Sequence, residues 1–189
     1  MGYKFLWFFQ TLFVRLLVKK IGWISYVGSP TFIYGGKKIS IGNRVRIFPG
    51  ARMETHKNGE IIIENNVSIG QNLHLISLGQ KLIIHEDTTI SGNVFITNVD
   101  HDYSKIGVHI LKQDYISKAT EIGKNCFIGY GAVIQAGTIL GKQCVVGSNS
   151  VVRGVFPDYS IIVGSPAKAV KQFDTETNTW CKITKKEID

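Results

Sequence analysis

The sequence predicts an all-β fold, a three-sided coil of parallel strands, preceded by one amphipathic helix. Three observations carry that prediction. From residue 122 an aliphatic side chain recurs at every sixth position, at Ile122, Ile128, Ile134, Leu140, Val146 and Val152. The same phase runs upstream in triplets, at Ile41, Ile47 and Met53, at Ile63, Ile69 and Leu75, and at Ile84, Ile90 and Ile96, with a slightly stretched step between triplets. Finally, a spacing of six does not hold one face of a 3.6-residue helix, and the β-branched content favours short strands. Triplets of hexads make a coil with three sides, about eighteen residues per turn plus corner loops. Coiling in one direction stacks the strands in parallel, about 4.8 Å apart. The period does not fix the hand.

The elements follow in chain order. Residues 1–20 read as an amphipathic helix. On it Lys4, Thr11, Arg15 and Lys19 form a narrow polar stripe, and Phe5, Phe8, Phe9, Leu12 and Leu16 a wide apolar surface. That surface is expected either to dock on the body of the protein or a sister subunit, or to lie in a membrane interface, which aromatic and basic residues together favour. The flank Lys19-Lys20, with no small-residue cleavage site, is a poor secretory signal. Residues 21–155 form the coil. Gly follows the aliphatic at 42, 70, 123, 129, 141 and 147, where a sharp corner wants freedom from Cβ constraints. Small or medium residues stand four positions after the aliphatic, at Val45, Ala51, Val67, Thr88, Cys126, Ala132, Thr138, Cys144 and Ser150, and suit a tight interior. Cys126 and Cys144, one turn apart, read as two stacked buried thiols rather than a bridge. Residues 97–121 leave the hexad count as a protruding loop, where function tends to sit. Residues 156–189 close the chain as a C-terminal segment, a short helix or tail.

Composition bounds the partners. The 189 residues, 44% hydrophobic and 19% charged, suit one ordinary domain and exclude a disordered chain. No 18-residue uncharged apolar run marks an integral membrane helix. A net charge of +8 admits nucleic acid, a membrane surface or a phosphorylated small molecule. With no Arg-rich helix, zinc-finger spacing or aromatic RNA-binding signature, nucleic acid is set aside. Three cysteines without C-x-x-C pairing fit a reducing compartment, so a cytoplasmic location is expected, peripheral at the inner membrane face if the helix binds lipid.

The run IGKNCFIGYGAVIQAGTILGKQCVVGSNSVV, followed by VFPDYSIIVGSPAKAV, resembles the hexapeptide-repeat acyltransferases, in particular their acetyl-CoA-dependent sugar and xenobiotic O-acetyltransferase branch. The resemblance covers roughly residues 39–172. It implies a left-handed parallel β-helix, against the usual right-handed crossover rule, and a homotrimer with active sites between neighbouring prisms. It further implies acetyl-CoA as co-substrate, with no metal, and a sugar or oligosaccharide acceptor; the aromatic, basic helix at residues 1–20 points to an acceptor at a membrane, as in surface polysaccharide biosynthesis.

The chemistry then needs a base, because a sugar hydroxyl is almost never ionised at neutral pH, and histidine suits both that task and reprotonation of the leaving thiolate. The loop opens on Asp100-His101-Asp102, and in the family such a loop starts with the catalytic histidine, so His101 is the expected base. Asp100 or Asp102 either orients its ring or solvates the loop. His74 and Asn72 are the candidates for the acceptor groove, whereas His56, His85 and His109 read as corner or loop residues. For CoA the resemblance points to Gly129, Tyr130, Gly147 and Ser148 along the prism, with Arg153 and Lys168 at the phosphates. The chain reads V-V-R-G where the family more often has V-T-K-D, a departure at those phosphate contacts. Serine or amino-sugar acetylation is the alternative within the family, and a non-catalytic β-helix scaffold the alternative outside it. Zinc-dependent hydration, known on the same scaffold, requires closely spaced histidine ligands that the five histidines do not supply.

Overall fold

A computed structural model describes residues 2–183. Helix α1 (Gly2–Leu17) leads into a left-handed parallel β-helix of about six turns. The first face stacks Lys20–Ile21, Ile39–Ile41, Glu60–Ile63, Lys81–Ile84, Thr120–Ile122, Ile139–Leu140 and Val155–Phe156 in parallel. The second begins at Tyr26–Val27 and ends at Ser160–Gly164, and the third runs from Phe32–Tyr34 to Val151–Val152. Register is one-to-one between coils: Ile63 lies beside Ile41 and Ile84, Ile69 beside Ile47 and Ile90, and Leu75 beside Met53 and Ile96.

Every hexad aliphatic points inward and is buried, and so are all nine small or medium residues four positions on. Each large side chain taken out of water contributes roughly 1.5–3 kcal/mol. The polar members of the second row are satisfied inside: the Thr88 hydroxyl donates to Gly123 O (2.9 Å) and the Thr138 hydroxyl to Gln135 O (2.7 Å). Cys126 and Cys144 are buried free thiols. Contact with the Cys144 side chain, together with burial, pushes the Cys126 thiol far above its ordinary range. The coil begins, as its expected start at residue 21 implies, with Ile21, Val27 and Ile33, six apart, which make a turn below the one that begins at Ile39.

The corner glycines are needed for space rather than for a left-handed backbone. Gly42, Gly70, Gly123, Gly129, Gly141 and Gly147 have no left-handed backbone. A Cβ there would strike the next coil, as at Gly123, where it would fall 2.3 Å from Gly141 O. The left-handed conformation falls two residues later, on Arg44, Asn72, Asn125, Gln143 and Asn149, with φ between 52° and 57°. Asn tolerates it best among residues with a Cβ.

Two expectations are corrected. Thr11, placed on the polar stripe, is buried. Its hydroxyl accepts the Val27 N–H (2.8 Å), a donor left open at the end of the parallel stack, and itself donates to Trp7 O (2.6 Å). The docked face is therefore Trp7, Thr11, Val14 and Val18, while the side chains of Lys4 and Phe5 lie outside the described ones. Between residues 157 and 183 the chain forms strands joined by turns rather than a short helix. Ala167–Asp174 turns back antiparallel on Ser160–Gly164, and Thr179–Lys182 pairs with it in turn. The last strand of the second face would otherwise present an unpaired edge, and the returning strand satisfies it.

Candidate active site

The excursion at 97–121 is an arm. Val99–His101 pairs antiparallel with Tyr115–Ser117, placing His101 opposite Tyr115. Asn98, fully buried, pins its root: the side-chain oxygen accepts the Leu78 N–H (2.8 Å), and the amide donates to Ser77 Oγ and Gln80 O (both 3.0 Å). Gln113 organises the tip, accepting from Lys105 N and donating to the carbonyls of Lys105 and Val108. His101 is exposed at the root, its ring 4.7 Å from that of Tyr115.

Below that ring lies a cavity of about 370 Å³, lined by Glu54, His56, Lys57, Ile76, Leu78, Val99, His101 and Tyr115. One wall is apolar and the other polar. The Glu54 carboxylate, nearly buried, accepts from Arg52 Nε (2.5 Å) and lies 3.2 Å from His56 Nε2 and 3.4 Å from His74 Nε2. Burial alone would raise its pKa, but Arg52 and His56 outweigh it and hold the carboxyl below its ordinary value. Burial conversely lowers the His74 imidazole, with Glu54 opposing. His56 stacks on Tyr34 (4.9 Å), and Arg52 lies over the Phe32 ring, so this outer face is built of aromatic and charged side chains in register.

The expected carboxylates go elsewhere than the His101 ring. Asp100 pairs with Arg153 Nη2 (2.8 Å), and Asp102 accepts from Ser104 N (2.9 Å), which holds its carboxyl below the usual range. Asn72 sits at an exposed corner, donating to Asn93 Oδ1 (2.9 Å), and Asn93 in turn contacts the Tyr130 hydroxyl. His74 lies one coil beneath Phe95, directed at Glu54 and the Phe95 ring. Neither Asn72 nor His74 lines the cavity. Gly129 and Gly147 stack at one corner, Gly129 N–H donating to Val146 O (2.8 Å) and Gly147 N–H to Ile162 O (2.9 Å), with Tyr130 and Ser148 exposed beside them. Lys168 is exposed on the returning strand, opposite Val163. Arg153 is held by Asp100 and by Gln135 Oε1 (3.1 Å), the side chain that the expected CoA contact would require. No three His, Cys, Asp or Glu side chains among the described residues converge as metal ligands.

Residues 119–154 match the family described as bacterial transferase hexapeptide (six repeats). WbbJ of Escherichia coli (strain K12), a protein named for O-acetyl transfer in lipopolysaccharide biosynthesis, is 32% identical over 160 residues, 81% of each chain. The chain belongs to the hexapeptide-repeat acyltransferases. A second relative, the dTDP-4-amino-4,6-dideoxy-D-glucose acyltransferase of Escherichia coli, is 28% identical over 159 residues, 82% of each chain. The solved structure of a variant of AntD, an N-acyltransferase from Bacillus cereus in complex with dTDP and coenzyme A, superposes with a TM-score of 0.75 at 19% identity. The match covers 89% of this chain and 90% of that one.

Within this acyltransferase, sequence reasoning missed Glu54, His56 and Asn98. Glu54 and His56 are two apart on Arg52–His56, a strand whose outward side alternates Arg52, Glu54 and His56 against inward Met53 and Thr55. Glu54 is the first carboxylate in the chain, on an outward row with Arg52 and His56, and that was the available signal. Asn98 lay in plain view at the point where the hexads break.

Proposed function

We propose that the protein transfers an acetyl group from acetyl-CoA to a sugar hydroxyl, in the building of a surface polysaccharide, with His101 as general base. The observation that carries this reading is the position of His101. It stands on a pinned arm at the mouth of a cavity whose opposite wall offers a carboxylate, a second imidazole and an ammonium, and whose floor is apolar. A sugar ring needs such a mixture: apolar surface for its C–H face, acceptors and donors for its hydroxyls.

His101 takes the hydroxyl proton as the oxygen bonds to the thioester carbonyl carbon. The tetrahedral intermediate then expels the thiolate, and the imidazolium returns the proton to sulfur, leaving an O-acetyl ester and free CoA thiol. Glu54 and His56 bind acceptor hydroxyls, and Asp100 with Arg153 fixes the arm rather than the imidazole. The pantetheine lies along the corner of Gly129, Tyr130, Gly147 and Ser148, with Lys168 toward the phosphates. The arm carries Tyr103, Ile106 and Leu111, 78%, 95% and 68% exposed. Apolar side chains this open on a protruding arm suit burial against the neighbouring prism of a homotrimer.

Thiol release from acetyl-CoA with a panel of sugars, with mass spectrometry of the product, tests the reading. His101→Ala is expected to lose at least about 100-fold in turnover with an unchanged melting temperature, since its side chain is exposed. Wild-type turnover in that variant overturns the assignment. The amino-sugar relative favours a second reading, N-acylation. An amino sugar acetylated in preference to its hydroxyl counterpart selects it.

A further inference from the structure

Helix α1 is inverted relative to an ordinary surface helix. A step of 100° per residue sets Phe8, Leu12, Leu16, Phe13, Leu6 and Leu17 over an arc of about 180°, centred opposite the docked face. All six are exposed, from 39% at Leu17 to 71% at Leu16. Gln10 and Arg15 stand at the borders of the docked face. The polar residues thus fringe the contact with the body while the apolar arc faces outward.

The same end of the prism carries a second anomaly. Trp23 and Ile24, at the corner of the first coil, are 84% and 80% exposed. Ile24 takes the left-handed conformation, φ 54°, where the corresponding corners of later coils place Arg44, Asn66, Asp87, Asn125 and Gln143. A β-branched side chain in that region is strained, and an exposed one gains nothing from burial in return. The charge is polarised to match. Residues 1–53 contain nine Lys and Arg and no Asp or Glu, whereas the remainder holds 13 basic against 14 acidic side chains. Arg15, Lys19, Lys20, Lys37 and Arg44 are exposed at this end.

We propose that the N-terminal end of the prism docks on an anionic lipid bilayer, with the outward arc of α1 and the Trp23–Ile24 corner in the interface and the basic side chains at the headgroups. A 16-residue helix is too short to span and none of the described helices is long and apolar enough to cross, so α1 lies in the plane. The apolar arc supplies insertion, and the absence of carboxylates makes the attraction additive across the whole end.

Sedimentation of the full chain with phosphatidylcholine vesicles, with and without about one quarter phosphatidylglycerol, tests this without acyl donor or acceptor, so its outcome is independent of acetyl transfer. The protein is expected to bind the anionic vesicles at least about tenfold more tightly than the neutral ones, and Trp23 emission to shift to the blue, a shift lost in Trp23→Ala. The combined variant Phe8→Glu, Leu12→Glu and Phe13→Glu is expected to keep its circular dichroism and lose binding at least about tenfold. Ile24→Asn keeps the coil intact in any case, and is expected to raise the melting temperature while weakening vesicle binding. Absence of binding by the wild type, or undiminished binding by both variants, overturns the proposal. So does a large assembly that the triple variant dissolves without any change in vesicle binding, because a second copy then covers the arc.

Discussion

At the scale of single residues, the site depends on two groups that do no chemistry. Asn98 satisfies one backbone N–H, one carbonyl and one hydroxyl at the root of the arm, all inside the protein. Asn98→Ala leaves the Leu78 N–H unpaired and is expected to cost roughly 1–3 kcal/mol in urea unfolding. Because His101 follows three residues on, turnover should fall more than acyl-donor binding. Glu54 is the second. Its depressed pKa means that its contribution is fully present above the ordinary value of 4.5 and is lost as pH falls through the lower, folded value. Glu54→Gln is therefore expected to be less stable than wild type by about 1–3 kcal/mol at neutral pH. The gap should close as acid protonates the carboxyl, as followed by thermal melts across pH. A gap that persisted once the carboxyl is protonated would show that the carboxylate is not the stabilising form.

At the scale of the element, the corner separates two demands that look alike in sequence. At Gly123 the next coil is too close for a Cβ, so Gly123→Ala is expected to destabilise by about 1–3 kcal/mol. At Asn125 the demand is on φ alone, and Asn125→Gly should fall within about 0.5 kcal/mol of wild type. Paired melting curves check both. The hexad period made the interior legible because burial on a regular coil repeats, residue for residue. Thr11 was misplaced because periodicity scores a hydroxyl as polar, whereas an open sheet end gives it a buried partner. The place of His101 at the root of an arm was legible from the break in the repeat. Glu54 and His56 were not, because two coils of sequence separate them from the arm and only stacking in register brings the three together.

At the scale of the molecule, the single chain leaves the His101 side of the cavity open and the apolar tip of the arm in solvent. The proposed ring of three copies, each arm covering the next prism, would remove both features at once. Shared sites make a specific demand on mixtures. His101→Ala and Lys168→Glu chains are each expected to be inactive alone, the first without a base and the second repelling the CoA phosphates. In trimers reassembled at random from equal amounts, an interface is intact when the Lys168→Glu chain gives its arm to a His101→Ala neighbour. That arrangement occurs at about one interface in four. Thiol release should therefore recover to about a quarter of the wild-type rate after unfolding and refolding the two variants together, and to nothing when they are refolded apart and then mixed. Recovery absent from the co-refolded trimers places the base and the CoA phosphates on one chain and removes the intersubunit site, while leaving the general-base role of His101 to stand on its own variant.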